Sequence, residues 1–575
     1  FGEFYTPKWV VKYIVDNTLK PYWEENKKIE EIKLLDPACG AGNFLVYAFD
    51  VFYDLWKEEH PELSETEIIS NIVSKNIFGV DIQRQPLQIT ALNIWLKAKK
   101  KAVDVNIKNM NLFRMNVLKA NSLYRYENDV TVQMTLWETV QKEFDNAYKA
   151  EDIGQYISTS GRMDMIRAKQ FFSQKFEVIV MNPPFVDARK MDSEISEFLK
   201  KEYPENSRNL FSAFIERVIE ISKKSGMIGF VSADSYFTIG SFENIRKMLL
   251  SNLSILEIIG LSDNIFEGPI VSSAISIIKN IKNKSNRIKA INLSKIIRQE
   301  DYEKIVYSWK SNIINEKKYE ILQKEFEKIQ GKPLIYDISS NIVNLFEKYK
   351  SLGIGEDNLC DVKQGMATGD NSLFLKNKFE IPNSLKNIKY FPYAKGGGYC
   401  KYANNITYYI KWENQGMEIK NTKKAVIRNE NYFFKEAVSY SLIDHDSRFS
   451  ARYLPQGCIF DVASSSIFSE NVKKLYLLGF LNTKIVNYIL RKLNPTPNFQ
   501  VGDIQRIPFK EPDKNTEESV IGYTEQAKSA KEKLLGFNYI SDFYHLVELY
   551  YGLNKNSSKV LNAFTEFLNE YERLE

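Results

Sequence analysis

Residues 176 to 185 read Phe176-Glu177-Val178-Ile179-Val180-Met181-Asn182-Pro183-Pro184-Phe185: an apolar, β-branched run that stops at an amide, two prolines and an aromatic ring. A short run with so little polar alternation fits a strand buried on both faces, as in a parallel sheet covered by helices. The prolines have no N–H to donate, so they end the ladder at the carboxyl end of that strand. In open α/β sheets this edge is where ligands bind. The side chain of Asn182 offers one carbonyl acceptor and an NH2 donor. Pro183 and Pro184 fix the backbone and leave a further carbonyl without a competing local amide, and Phe185 supplies a flat face. Together they fit a planar exocyclic amine. Two carbonyl oxygens accept both amino hydrogens, drawing the nitrogen lone pair out of ring conjugation, while the aromatic stacks on the ring. The plainer reading is a strand followed by a Pro-Pro turn, and the tetrapeptide alone does not separate the two.

The segments on either side supply a setting for that edge. Ile32 to Leu35 form a short strand that runs into Asp36-Pro37-Ala38-Cys39-Gly40-Ala41-Gly42-Asn43-Phe44 and then a helix. Strand, glycine turn and helix make a nucleotide-binding unit in outline, but the spacing is not the three-glycine dinucleotide pattern and no phosphate-binding lysine follows. A loop opened by Asp36 and brought close by Gly40 and Gly42 suits a cationic or amino-bearing ligand, and the methionyl part of S-adenosyl-L-methionine is one. A second strand, Ile77 to Ile82, ends in Asp81, whose carboxylate suits ribose hydroxyls, with Ile82 packing on adenine. Asp81 also reads as an ordinary cap for the helix from Gln83 to Lys97. A third strand within 112–123 ends in Asn121, suited to the adenine edge. Ahead of all of these, Phe4-Tyr5-Thr6-Pro7 precedes an apolar helix, with Thr6 as N-cap and Pro7 at the first helical position.

Downstream, Val186 to Arg208 is charged and reads as a solvated helix or a mobile loop. An apolar helix begins at Asn209, and strands follow at Gly226 to Ser232, Ile255 to Gly260, Ala274 to Ile278 and Arg287 to Leu293. Phe266, in the loop between two of them, either holds a base from its second face or packs on the sheet. The alternation specifies a doubly wound α/β sheet.

With 575 residues, 44% of them hydrophobic, the chain is too long for one core. We divide it into residues 1–295, a helical connector 296–332, a second unit 333–510 and a helical segment 511–575, where Leu546, Leu549, Leu553, Leu561, Phe564 and Phe567 repeat at helical spacing. The four cysteines are far apart and there are only three histidines, which argues against zinc sites, disulfide frameworks and histidine-based triads. No metal is expected. Neither a secretory signal nor a bilayer-length apolar run is seen, so the expectation is a cytoplasmic protein with no membrane partner. Phe1 stands where an initiator methionine would, which suggests a piece of a longer chain. The net charge of +5 permits nucleic-acid binding through local patches. Such patches occur in 333–510, where glycine-rich turns alternate with basic and aromatic residues, among them Lys395, Tyr399 and Arg428.

In this order, the motifs resemble those of the gamma-class amino-methyltransferases that act on adenine in DNA. The resemblance covers roughly residues 1 to 290 and implies a Rossmann-like seven-stranded methyltransferase sheet with S-adenosyl-L-methionine as cofactor. It assigns the cofactor to Tyr5, Thr6, Pro7, Asp36, Ala38, Gly40, Gly42, Asn43, Phe44, Asp81, Ile82 and Asn121. It assigns catalysis to Asn182, Pro183, Pro184 and Phe185, with Phe185 and Phe266 clamping a flipped base. The tetrapeptide ends in Phe where Tyr is commoner, and Asn121 stands where an acid is frequent. The second half is similar to the target-recognition domains of Type IIG restriction-modification enzymes and BREX phage-defence methyltransferases. Its carriers are Gly365 to Asn371, Arg452 to Gly457, Leu481-Asn482-Thr483 and Asn494 to Ile504. This implies an α+β recognition domain on double-stranded DNA, with Lys395, Tyr399, Arg428 and Arg452 as contacts and restriction or defence proteins as partners. Other readings are a methyltransferase fused to an endonuclease lying upstream of Phe1, a methyltransferase acting on RNA or protein glutamine, and a non-catalytic DNA-binding scaffold.

Overall fold

A computed structural model describes residues 6–101, 115–125, 165–263, 265–266, 272–294, 299–310, 318–355, 358–446 and 448–536, together with four isolated positions beyond. It divides into two compact units, residues 1–327 with 331–337, and 328–330 with 338–575.

The first unit is built on one nine-stranded sheet. In chain order its strands are β1 (Leu34–Asp36), β2 (Ile77–Asp81), β3 (Asn116–Lys119), β4 (Phe176–Met181), β5 (Ser222–Ala233), β6 (Ser254–Gly260), β7 (Ser273–Lys279), β8 (Arg287–Asn292) and β9 (Lys318–Leu322). They lie in the order β3-β2-β1-β4-β5-β7-β6-β8-β9. The chain steps outward from β1 to β3 and then returns to place β4 on the other side of β1, with Leu34 level with both Ile77 and Val178. This reversal opens a crevice at the carboxyl ends of β1 and β4. β7 runs antiparallel to both β5 and β6.

The nearly unbroken apolar character of β4 follows from burial on both faces. Val178 and Val180 enter one core with helices α1 (Lys8–Asp16), α2 (Leu19–Asn26) and α3 (Asn43–Glu59), and with α4 (Glu65–Asn71) and α5 (Arg84–Lys101). Ile179 and Met181 enter the other, with α6 (Ser193–Glu202), α7 (Leu210–Ile221) and α8 (Glu243–Asn252). Glu177, the one acid in the run, is satisfied by the Lys33 backbone N–H at 2.9 Å and by Lys223 Nζ at 2.9 Å.

The doubly wound α/β sheet is the expected one; β8 is the edge strand expected at Arg287 to Leu293, and β9 is added beyond it. The segment 296–332 is more than a helical connector. After a helix at Gln299–Lys310 it supplies β9, antiparallel to β8, and so completes the sheet edge. The Lys-Asn-Ile-Glu composition there does not distinguish an edge strand from a helix, and pairing with β8 decides it.

The second unit holds two four-stranded sheets. One joins β10 (Asp361–Lys363), β17 (Ser466–Phe468), β14 (Ala437–Tyr440) and β15 (Ala451–Leu454). The other joins β11 (Leu375–Asn377), β13 (Tyr408–Lys411), β12 (Tyr390–Ala394) and β16 (Ile459–Phe460). The expected helix from Leu475 to Leu490 is two, Lys474–Leu481 and Lys484–Leu493. Asn482 breaks it by bonding both the N–H and the carbonyl of Ala451, and Thr483 caps the second helix by accepting from Val486 N. Of the tail, the helix Lys514–Gly536 is described, while the leucine repeat from Leu546 onward lies outside the described residues. No described helix is long and apolar enough to cross a membrane.

Candidate active site

β4 ends at Met181, and the next residue points its amide toward the amino-terminal segment: Asn182 Nδ2 donates to Thr6 Oγ1 at 3.0 Å. Thr6 was expected as the cap of α1, but that helix begins at Lys8, with Pro7 in the cap position and no side-chain cap bond. The buried hydroxyl of Thr6 instead fixes which way the Asn182 amide faces. Asn182 Oδ1 accepts no hydrogen bond among the described residues. Pro183 is buried and Phe185 half-buried. The Phe185 ring meets Phe211 edge to face at 6.1 Å and Phe266 edge to face at 6.5 Å and 89°. With Phe266 only 9% exposed, the two phenylalanines do not stand as the parallel walls that a clamp of both rings requires.

Across the crevice, β1 and β2 end in the two acids that the sequence singled out. Asp81 Oδ2 accepts from Gly40 N at 3.0 Å and Oδ1 from Gln83 N at 2.8 Å. Asp81 thus caps the start of the following helical segment and ties down the glycine loop at once. The loop is held further by Thr90 Oγ1 donating to Gly40 O at 2.8 Å and Asn93 Nδ2 donating to Ala41 O at 3.1 Å. Gly40 and Gly42 have φ of +51° and +84°, and a Cβ on Gly42 would come within 2.7 Å of the Thr90 side chain.

Beside this loop lies a cleft of about 350 Å³. Pro37, Ala38, Asp81 and Ile82 form one wall, with Ala120 and Asn121 beyond them. Ile82 is 64% exposed, an unusual state for isoleucine that its place on a cleft wall explains. Asn121 Oδ1 accepts from Leu123 N at 3.0 Å, which fixes the turn that brings the asparagine to the cleft. Pro184 lines it too, so the tetrapeptide and the cleft are contiguous. Among the anticipated cofactor residues, Thr6, Pro7, Asp36, Gly40, Gly42 and Asn43 are not on its walls, the Phe44 ring is buried in the core, and Tyr5 lies outside the described residues.

The rest of the lining was not read from the sequence. Glu194, Ile195 and Phe198 come from α6, and Leu210 and Phe214 from α7. The segment 186–208 is neither a bare loop nor a wholly solvated helix. Phe198 stacks on Tyr124 at 6.2 Å and 8°, so α6 brings an apolar edge to the cleft. The available signal was Ile195, Phe198 and Leu199 at helical spacing, diluted by the surrounding charge.

Electrostatically the end of β1 favours the protonated form of Asp36. Burial, with the charge of Asp81 adding to it, raises the Asp36 carboxyl to about 8 even though the Ala38 N–H donates to it at 3.1 Å. Such a carboxyl is held out of water and lacks a cationic partner among the described residues.

In the second unit the four anticipated DNA contacts divide. Arg428 is exposed. Lys395 Nζ lies 5.6 Å from the Tyr408 ring, and Tyr399 carries Lys401 and Arg448 over its own ring at 5.7 and 4.4 Å. Arg452 is not a surface residue: it is 3% exposed on β15, and Nη1 donates to Ser441 Oγ at 2.9 Å. Its basic character in the sequence suggested phosphate binding, but strand alternation turns it inward.

Residues 75–266 match the Eco57I restriction-modification methylase family. The matched span includes Asp81 and the tetrapeptide. Adenine-specific methyltransferase PglX of Lacticaseibacillus casei (strain Zhang) is 26% identical over 607 residues, covering 88% of this chain and 50% of that protein. Adenine-specific methyltransferase BrxX of Escherichia coli O9:H4 (strain HS) is also 26% identical over 607 residues, with 88% and 49% covered. The chain thus spans about half the length of these curated relatives. The fold is similar to that of the Type ISP restriction-modification enzyme LlaGI, solved as a nuclease-deletion mutant in complex with a DNA substrate mimic. There the TM-score is 0.61 at 13% identity, over 92% of this chain and 47% of that one. It is similar also to the Type IIL enzyme MmeI, solved in complex with DNA, with a TM-score of 0.52 at 14% identity over 99% and 76%.

Proposed function

We propose that this chain transfers a methyl group from S-adenosyl-L-methionine to N6 of an adenine flipped out of duplex DNA, as the modification part of a cytoplasmic restriction-modification or phage-defence system. The observation that carries the reading is the Asn182 amide: its nitrogen is engaged by Thr6, so its oxygen is presented at the carboxyl end of β4 beside Pro183 and Phe185.

The residues fit the cofactor. Ile82, Pro184 and Phe214 offer apolar surface for an adenine ring, the Asp81 carboxylate has lone pairs left for ribose hydroxyls, and Asn121 also lines the cleft. The buried Asp36 carboxyl, raised to about 8, suits the cationic end of such a ligand, whose charge would draw it back to the ionised form. When bound, the cofactor supplies an electrophilic methyl on a sulfonium.

The chain's own residues then do the rest. A target adenine leaves the duplex at a cost of a few kcal/mol for unstacking. Asn182 Oδ1 and the Pro183 carbonyl accept its two amino hydrogens, and Phe185 takes its ring face. Thr6 keeps the Asn182 amide from turning its donors toward the amine. These groups act where positive charge develops on the nitrogen, so they favour the transition state by preorganisation, with no covalent intermediate on the protein. The similarity to PglX and BrxX, both called adenine-specific methyltransferases, supports the base, and DNA in the LlaGI and MmeI structures supports the polymer. Restriction or defence proteins would be the partners.

The test is single-turnover methylation of duplex DNA with labelled S-adenosyl-L-methionine and identification of the product base. We expect N6-methyladenine from the parent chain, and a loss of about 100- to 1000-fold in Asn182→Ala, with cofactor affinity by calorimetry nearly unchanged. Near-normal transfer by Asn182→Ala, or cytosine as the sole methylated base, would overturn the reading.

A further inference from the structure

The acid Asp234 follows β5 directly, at the same sheet edge as the tetrapeptide. In the parallel pairing of β4 with β5, Met181 is level with Phe230, and four residues further along each chain stand Phe185 and Asp234. On its other side, Asp234 N donates to Ser272 O at 3.0 Å, one step past the Ala233–Ser273 pair of the β5–β7 ladder. Asp234 therefore sits between the end of β4 and the entry to β7, whose preceding loop carries Phe266.

The carboxyl group is mostly withdrawn from water, and burial raises it to about 6. It has no hydrogen bond and no ion pair among the described residues. The ionisable groups that sense its charge are the phenols of Tyr236 and Tyr336, both of which burial pushes up, and Tyr236 already shares a hydrogen bond with Ser276 at 2.7 Å. Asp234 is half-buried, and a carboxyl so far withdrawn from water with no partner is unfavourable for the fold. Acids in that condition at a ligand-binding edge are found where a ligand completes them.

We propose that Asp234 belongs to the target-base pocket and donates a hydrogen bond from its carboxyl group to a ring nitrogen of the flipped purine. The inference rests on the proposed adenine N6 methylation. With both N6 hydrogens taken by Asn182 and Pro183, the polar atoms left on the adenine ring are nitrogens that only accept. A carboxyl group can donate only when protonated, and cover by the stacked base removes more water and favours that form. The group is a positioning residue: it orients the ring so that the amine faces Asn182 Oδ1.

The experiment places 1-deaza-, 3-deaza- or 7-deazaadenine at the position that the parent chain methylates and follows single-turnover transfer by the parent, Asp234→Ala and Asp234→Asn. One of the three analogues should slow the parent about tenfold, the size of one hydrogen bond. The same analogue should cost Asp234→Ala nothing further. Asp234→Asn, whose amide donates permanently, should regain the sensitivity. Equal slowing of parent and Asp234→Ala by every analogue would overturn the proposal, as would parental rates of Asp234→Ala on adenine. Asp234→Leu, similar in size and unable to donate, replaces Asp234→Ala if circular dichroism shows the latter unfolded. Absence of transfer to any adenine by the parent chain would instead overturn the functional reading, and this proposal with it.

Discussion

Asp36 is held in an environment that disfavours its charged form. An unfolded aspartate titrates near 4, whereas in the fold burial raises Asp36 to about 8. Between those values the folded chain binds more protons than the unfolded chain, so stability falls as pH rises from about 4 to about 8 and levels off above. The favourable state of this group lies at low pH, the opposite of a salt-bridged aspartate. Asp36→Asn should therefore stabilise the ligand-free chain at pH 8 by on the order of a few kcal/mol, seen as a higher thermal midpoint, and leave it nearly unchanged at pH 4. Asp234, shifted in the same direction by burial, remains in that variant, so the slope should shrink without vanishing. Melting curves across this range, parent against variant, check the sign, and a larger gain at pH 4 than at pH 8 would contradict it. The same substitution should weaken S-adenosyl-L-methionine binding.

Among the elements, the glycine loop between β1 and α3 depends most on side chains far away in sequence. Thr90 and Asn93 of α5 hold its carbonyls, and Asp81 holds the Gly40 N–H. Gly42 meets two constraints at once, a left-handed φ of +84° and a Thr90 side chain 2.7 Å from where a Cβ would stand. Gly42→Ala is expected to destabilise the chain by about 1–3 kcal/mol through backbone strain and to shift the loop away from the cleft. Thr90→Ala relieves the clash while removing the Gly40 hydrogen bond, so the double variant should be less destabilised than the sum of the two singles. Additive losses in chemical denaturation would show that strain at Gly42, rather than contact with Thr90, sets the effect.

At the level of the molecule, the first unit holds the cleft and the tetrapeptide, and the second holds Arg428 on its surface and Arg452 in its interior. With Arg428 as a phosphate contact, Arg428→Ala should weaken binding to any duplex and lower the magnitude of the salt-dependence slope by about one. Arg452→Ala should leave that slope unchanged in folded protein. It should instead lower the stability of the second unit by about 1.5–3 kcal/mol, since it removes a buried, charge-assisted bond to Ser441. Filter binding across salt concentrations separates the two, and equal slopes for both variants would remove Arg428 from the DNA contacts.

What the sequence determined by itself was what is local in the chain. The apolar run of β4 and its Asn-Pro-Pro stop, the acids ending β1 and β2, and the turn through Gly40 and Gly42 are set by backbone chemistry within a few residues. These features fix the strands and the sheet edge to which their ends are directed. The tertiary structure alone decided which of these groups meet. Thr6 lies 176 positions from Asn182, and its hydroxyl could be assigned to a helix cap or to the amide only once β4 and the start of α1 had come together. α6 became a cleft wall because the few apolar residues in a charged segment found Tyr124, and Arg452 became a core residue because the pleat of β15 turned it inward. β9 entered the sheet because β8 offered an unpaired edge. In each case the deciding term is burial or pairing against a partner distant in the chain, which local spacing does not encode.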